Sequence, residues 1–130
     1  MAENKYDVGF NNFTEIYGEF GLRVIENLKQ ISPDIVKFII EFAFGEIYSR
    51  KGLDIKSREI VSISSLLTLG NAVPQLKSHI HGALNIGCTR DEILEIVIQI
   101  LLYSGFPSAL NGLQTMKEVF EERDKKGINN

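Results

Sequence analysis

The segment that opens at Ser32-Pro33 sets the tightest limit on what this chain can become. Asp34, Lys37 and Glu41 fall on one narrow stripe at i, i+3 and i+7, while Ile35, Val36, Phe38, Ile39, Ile40, Phe42 and Phe44 fill the remaining circumference. Apolar residues spread in this way fit a helix running to about Tyr48 or Arg50, and a helix that apolar has to cover nearly all its sides. A second segment, from Thr89 to about Tyr103, repeats the pattern, with Asp91 or Glu92, Glu95 and Gln99 as its polar line. A single domain of 130 residues has a poor ratio of buried to exposed surface. It can bury few helices completely, so the expectation is a homo-oligomer in which part of the apolar surface meets other subunits, the alternative being that one of the two helices is simply central to the domain.

The remaining punctuation divides the chain into six helical segments with little period-2 alternation, hence an all-α fold. The first runs from about Val8 to Lys29, as one helix or as two shorter ones, because Gly18 and Gly21 each cost about 1 kcal/mol relative to Ala. Ser32 is a suitable N-cap and Pro33 suits the first helical position of the second. Asp54 can cap a third helix over Ile55 to Leu69, stopped by Gly70, and a fourth covers about Pro74 to Ile86, stopped by Gly87. Thr89 and Glu92 have the spacing of a capping box for the fifth. Gly105-Phe106-Pro107 breaks the chain before a sixth helix, from about Ser108 to Glu121. One domain over 1–130 is expected, with 1–30 and a frayed tail at 122–130 peripheral to it.

Charge and cysteine content narrow the function. Fourteen Lys and Arg against seventeen Asp and Glu give a net charge of −3, the wrong sign for a general nucleic-acid binder. One cysteine excludes an intrachain disulfide and any Cys-based zinc cage, and a lone thiol suits the cytosol. The stretch MAENKYDVGF has charges and no apolar leader, and no apolar run reaches the roughly 18 residues of a membrane span. A cytoplasmic protein with no membrane or nucleic-acid partner is therefore expected. There is no P-loop, dinucleotide-binding glycine pattern, G-x-S-x-G or H-E-x-x-H.

The residues with chemical potential cluster mid-chain: Arg58, Glu59, His79, His81 and Cys88. Two histidines at i and i+2 of a helix point about 200° apart, so His79 and His81 cannot share one face or bind one metal ion. Glu59 reads as a solvated or ion-paired carboxylate, or as one held beside an imidazole to fix its tautomer. Cys88 stands just before a helix N-terminus, where exposed amides favour thiolate, although a free Cys is commonly a small buried hydrophobe.

Three stretches carry a resemblance. Ser49-Arg50-Lys51-Gly52-Leu53-Asp54-Ile55-Lys56-Ser57-Arg58-Glu59 follows S-R-x-G-L-D-x-K-x-R-E, and Gln75 to Gly87 follows Q-L-x-x-H-x-x-G-A-L-N-x-G. Tyr103 to Asn111 follows Y-x-G-F-P-x-A-x-N. In this order and spacing they resemble the carboxymuconolactone decarboxylase family. The resemblance implies an alkylhydroperoxidase D-like helical fold, assembled as a ring of three dimers. It also implies one of two chemistries. The peroxidase branch carries C-x-x-C, but Ala72 and Gln75 stand at those positions, so disulfide chemistry of that type cannot run here. The decarboxylase branch has no thiol pair and needs no cofactor. Its substrate, 4-carboxymuconolactone, loses carbon dioxide and leaves electron density over an unsaturated lactone. The catalyst must hold carboxylates, stabilise that charge and protonate carbon.

On this resemblance His79 is the general acid, since an imidazole titrates near neutral pH, and Glu59 orients it. Arg50 and Arg58 are candidates for the substrate's carboxylates, which guanidinium groups bind bidentately, or are structural ion pairs. Gln99 stands where some members carry histidine, and could donate a hydrogen bond. His81, where many carry arginine, is a rim or surface residue. Two other readings remain: a thiol oxidoreductase working through Cys88, and a non-catalytic helical oligomer that binds a small molecule.

Overall fold

The computed structural model describes residues 4–130, and every regular element among them is helical. Met1–Glu3, the start of the stretch read as lacking an apolar leader, lie outside the described residues. The chain forms two compact units, one reaching to Ile55 and the other starting at Lys56.

In the first unit, α1 spans Lys5–Ile31 and is capped by Asn4, whose side chain accepts from the Asp7 amide. It bends at Gly18 (φ 58°, ψ −144°), a backbone conformation that L side chains avoid. The two helical halves of α1 meet at this kink, in line with the alternative of two shorter helices. Ser32 Oγ accepts from the Ile35 amide and Pro33 takes the first position, so α2 (Pro33–Phe38) begins as its sequence indicates. It continues as a π-helical stretch, Ile39–Ile47, which the apolar pattern did not foretell. The wider turn carries the Tyr48 amide to the Ala43 carbonyl at 2.9 Å. The Phe44 carbonyl is met by side chains instead: Asn12 Nδ2 donates to it at 2.8 Å and Ser49 Oγ at 3.2 Å. These bonds satisfy a group that a regular helix would pair internally.

Glycine lets α1 and the π-helical stretch touch. A Cβ on Gly9 would lie 1.8 Å from the Ile40 carbonyl oxygen. Beside this contact the rings of Phe13, Tyr17, Phe44 and Tyr48 pack in tilted and edge-on pairs with centroids 4.7–5.6 Å apart. Val36, Ile40 and Phe44 are buried by this packing, whereas Phe38 and Phe42 are about 60% exposed on the other side of the helix.

The second unit contains α3 (Ile55–Leu69), α4 (Val73–Asn85) and α5 (Arg90–Lys125). Gly70 follows α3 with φ 77°. At the end of α4 the Cys88 amide bonds to Ala83 and the Gly87 amide to Leu84, with Gly87 at φ 110°, the pattern of a Schellman motif. Thr89 and Glu92 form the expected capping box at the start of α5. At Gly105 (φ 84°, ψ 172°), ahead of Pro107, the backbone leaves the helical region, so the break expected at Gly105-Phe106-Pro107 is present as a kink between the two helical halves of α5. The fifth and sixth segments join across this kink and run past Glu121, so that, with α2 and the π-helical stretch taken as one, the described residues form five helices where six were expected. Ile63 and Leu67 of α3, Leu76, Ile80 and Leu84 of α4, and Ile93, Val97 and Val119 of α5 share one core with Cys88.

The tail read as frayed is tied down. A second Schellman motif closes α5: the Ile128 amide bonds to Arg123, the Gly127 amide to Asp124, and Gly127 has φ 71°. α5 is also long and apolar enough, by length and composition alone, to cross a membrane, which the search for an unbroken apolar run had not indicated. Core helices pass the same test, and this one is bent at Gly105 and supplies Ile93, Ile96, Val97, Ala109 and Val119 to the core.

Candidate active site

Glu59 lies one turn into α3 and His79 midway along α4. Glu59 is fully buried, whereas the His79 side chain keeps 22% of its surface exposed. His79 Nδ1 and Glu59 Oε2 are 2.9 Å apart. A carboxylate only accepts, so Nδ1 carries the hydrogen and donates. That bond fixes the ring's tautomer and orientation, and leaves Nε2 on the side of the ring away from Glu59. The sequence left open whether Glu59 meets an imidazole; the structure joins it to His79.

His81 points elsewhere, as the i, i+2 spacing requires. Its Nδ1 is 3.1 Å from Arg123 Nη1 and its Nε2 is 3.1 Å from Glu122 Oε2, both on α5. The structure thus engages both ring nitrogens away from the Glu59–His79 pair. Arg123 and Glu122 were missed in the sequence because they fall in the stretch read as a tail. The available signal was an arginine four residues before Gly127, the spacing of a helix that closes on a glycine and turns back.

Of the two readings left open for Cys88, the structure favours the small buried hydrophobe over the acidified thiol. It is 2% exposed, and burial, followed by the nearby Glu92 carboxylate, pushes the thiol pKa up. Its place is the apolar position that follows the glycine of a Schellman motif, where a small hydrophobe packs back on the helix end. Arg58, adjacent to Glu59 on α3, is partly buried, and Gln99 is exposed on α5. Arg50 belongs to the first unit, where it is exposed and its amide bonds to the Ile47 carbonyl at 3.1 Å. A shallow hollow at the α3–α4 turn, with Leu67, Ala72, Leu76, Ser108 and Asn111 in its wall, includes none of these candidates. No group of three or more His, Cys, Asp or Glu among the described residues is arranged to hold a metal ion.

A buried carboxylate bonded to a partly exposed imidazole can shuttle one proton. The model of the carboxymuconolactone decarboxylase family matches residues 33–118, a span that contains both Glu59 and His79. A 4-carboxymuconolactone decarboxylase of Acinetobacter baylyi is 36% identical over 121 residues, covering 92% of this chain and 90% of that protein. A nitrosuccinic acid decarboxylase of Metarhizium robertsii is 30% identical over 128 residues, covering 94% and 85%. With the match running through the whole of α2 to α4 and most of α5, the chain belongs to the carboxymuconolactone decarboxylase family.

Proposed function

We propose that the chain is a cofactor-free decarboxylase of 4-carboxymuconolactone or a related small unsaturated polycarboxylate, with His79 as general acid. The observation that carries this reading is the 2.9 Å bond between His79 Nδ1 and the buried Glu59. The bond from the substrate's carbon skeleton to its carboxylate breaks, and carbon dioxide leaves. The electron pair passes into the conjugated lactone, and the Nε2–H of the His79 imidazolium delivers a proton to carbon. Glu59 accepts from Nδ1–H throughout and offsets the positive charge of the ring. Water then returns the proton to Nε2. Arg58 is assigned to a substrate carboxylate, because a guanidinium offers paired donors. The two decarboxylases among the relatives support the reaction class: both names denote loss of carbon dioxide from a small acid.

The test is carbon dioxide release from 4-carboxymuconolactone. His79→Asn is the informative variant, since an amide nitrogen near the position of Nδ1 can still donate to Glu59 while the proton donor is gone. Replacing His79 by Ala instead leaves a buried carboxylate without that partner, a change of the kind that costs about 3–5 kcal/mol of stability. The expected result is turnover in the wild type and a fall of about 10²- to 10⁴-fold in His79→Asn with the fold retained. Undiminished turnover in that variant would remove His79 as donor. A folded wild type that releases no carbon dioxide would remove this substrate and leave the non-catalytic binding reading.

The same reading has the chain act as a homo-oligomer, a hexamer built from three dimers. Its support is the row of exposed apolar side chains along α5, with Leu102 at 71% and Phe106 at 67% exposure.

A further inference from the structure

The C-terminal turn is held by a polar cluster that has one titratable switch point. Arg123 is buried to 3% exposure. Its Nε donates to the backbone oxygen of Asn130 at 2.7 Å, and its Nη2 donates to Asn85 Oδ1 at 3.0 Å and to Asn130 Oδ1 at 3.2 Å. Asn130 Nδ2 donates in turn to the Leu84 carbonyl at 2.9 Å, which seats the tail on the end of α4. The remaining nitrogen, Nη1, faces His81 Nδ1 at 3.1 Å.

A guanidinium has donors and no acceptor. Nδ1 of His81 must therefore be the acceptor in this contact and must lack a proton. Nε2 then carries the ring hydrogen and donates it to Glu122 Oε2. Protonation of His81 would place a second N–H against the N–H of Arg123 and bring two cations together. No rotation of the ring restores the contact, because a doubly protonated imidazole has no acceptor left.

We propose that His81 is the pH-sensitive member of a latch: unprotonated at Nδ1 it holds Arg123 in place to seat residues 126–130 against α4, and protonated it expels Arg123 and releases them.

The groups that face this ring set the direction of the response. Burial is the largest influence and pushes the His81 imidazole below the ordinary histidine value of about 6.5. Glu122 on α5 opposes that shift, while Arg123 on α5 and Lys77 on α4 add to it. Glu122 is itself shared with Lys77 in an ion pair. Arg90 bonds to Asp124 at 2.8 Å and stands close enough to act on Arg123. A group whose pKa is lower in the closed state contributes its full stability to that state above the ordinary value. The contribution is lost as pH falls from about 6.5 through the depressed pKa, because the open state binds the proton more readily. The latch is thus closed at neutral pH and opens in mild acid.

The test is nuclear magnetic resonance of the full chain between pH 7.5 and 5. The His81 ring carbons report titration, and the Ile128 and Asn130 amides report whether the tail is held. The expected result is that both amides become mobile with the same midpoint as His81, below 6.5. His81→Gln keeps one acceptor and one donor but does not titrate, so its tail should stay ordered across the range. Glu122→Gln removes the group that favours protonation, and should move both midpoints to lower pH together. A tail that stays ordered through the His81 titration overturns the proposal. So does a tail that loosens at an unchanged midpoint in either variant. The wild-type comparison decides the matter even if a variant does not fold.

Discussion

At Cys88 two opposing influences meet: the start of a helix favours thiolate, and burial favours thiol. Burial prevails. The expected outcome is that iodoacetamide modifies the folded chain at pH 7.5 at least tenfold more slowly than the same chain in denaturant, measured by mass spectrometry over time. A Cys88→Ser variant should keep its carbon dioxide release. Among the other candidates, the opposed directions of His79 and His81 were readable because the period of a helix alone dictates them. That Glu59 meets His79 was not readable, since the two lie twenty residues apart and a turn decides where α4 returns. Arg123 was hidden for a different reason. A single arginine near a chain end looks like a solvated charge, and only the folded tail supplies the acceptors that bury it.

Among the elements, the ends were clearer than the interiors. Ser32-Pro33, Gly87 and the Thr89–Glu92 box act within a few residues, so their outcome does not depend on what packs against them. The π-helical stretch Ile39–Ile47 depends on Asn12 from another helix, and no local pattern announces it. Gly105 was read as a break because glycine followed closely by proline usually ends a helix. Here the core residues on both sides, Val97 and Ala109 among them, hold the two halves of α5 together. Close approach also separates two glycines that look alike in the sequence. A methyl on Gly9 would collide with the Ile40 backbone at 1.8 Å, whereas one on Gly112 would meet the end of the Leu67 side chain at 2.7 Å, which can move. Gly9→Ala should therefore cost at least about 1–3 kcal/mol and Gly112→Ala measurably less, compared by urea denaturation midpoints.

For the molecule as a whole, the unsettled quantity is apolar surface. Ile98, Leu102, Phe106 and Leu110 are all at least half exposed along α5, more than isolated surface hydrophobes require. If copies of the chain cover this face, Leu102→Glu should shift the species seen in sedimentation velocity toward monomer while the helical circular dichroism is kept. An unchanged wild-type monomer that binds lipid vesicles would point to a membrane instead. The apolar excess was readable from the narrow polar stripes alone, because they left more hydrophobic side chains than one chain of this size can bury. Where the second unit carries its two histidines has a mechanical consequence. α4 has an imidazole on each flank, one bonded to a carboxylate and the other to a guanidinium. Any turn of the helix about its own axis carries the two rings in opposite directions. α4 is a see-saw: a rotation that draws one ring from its partner moves the other ring as well.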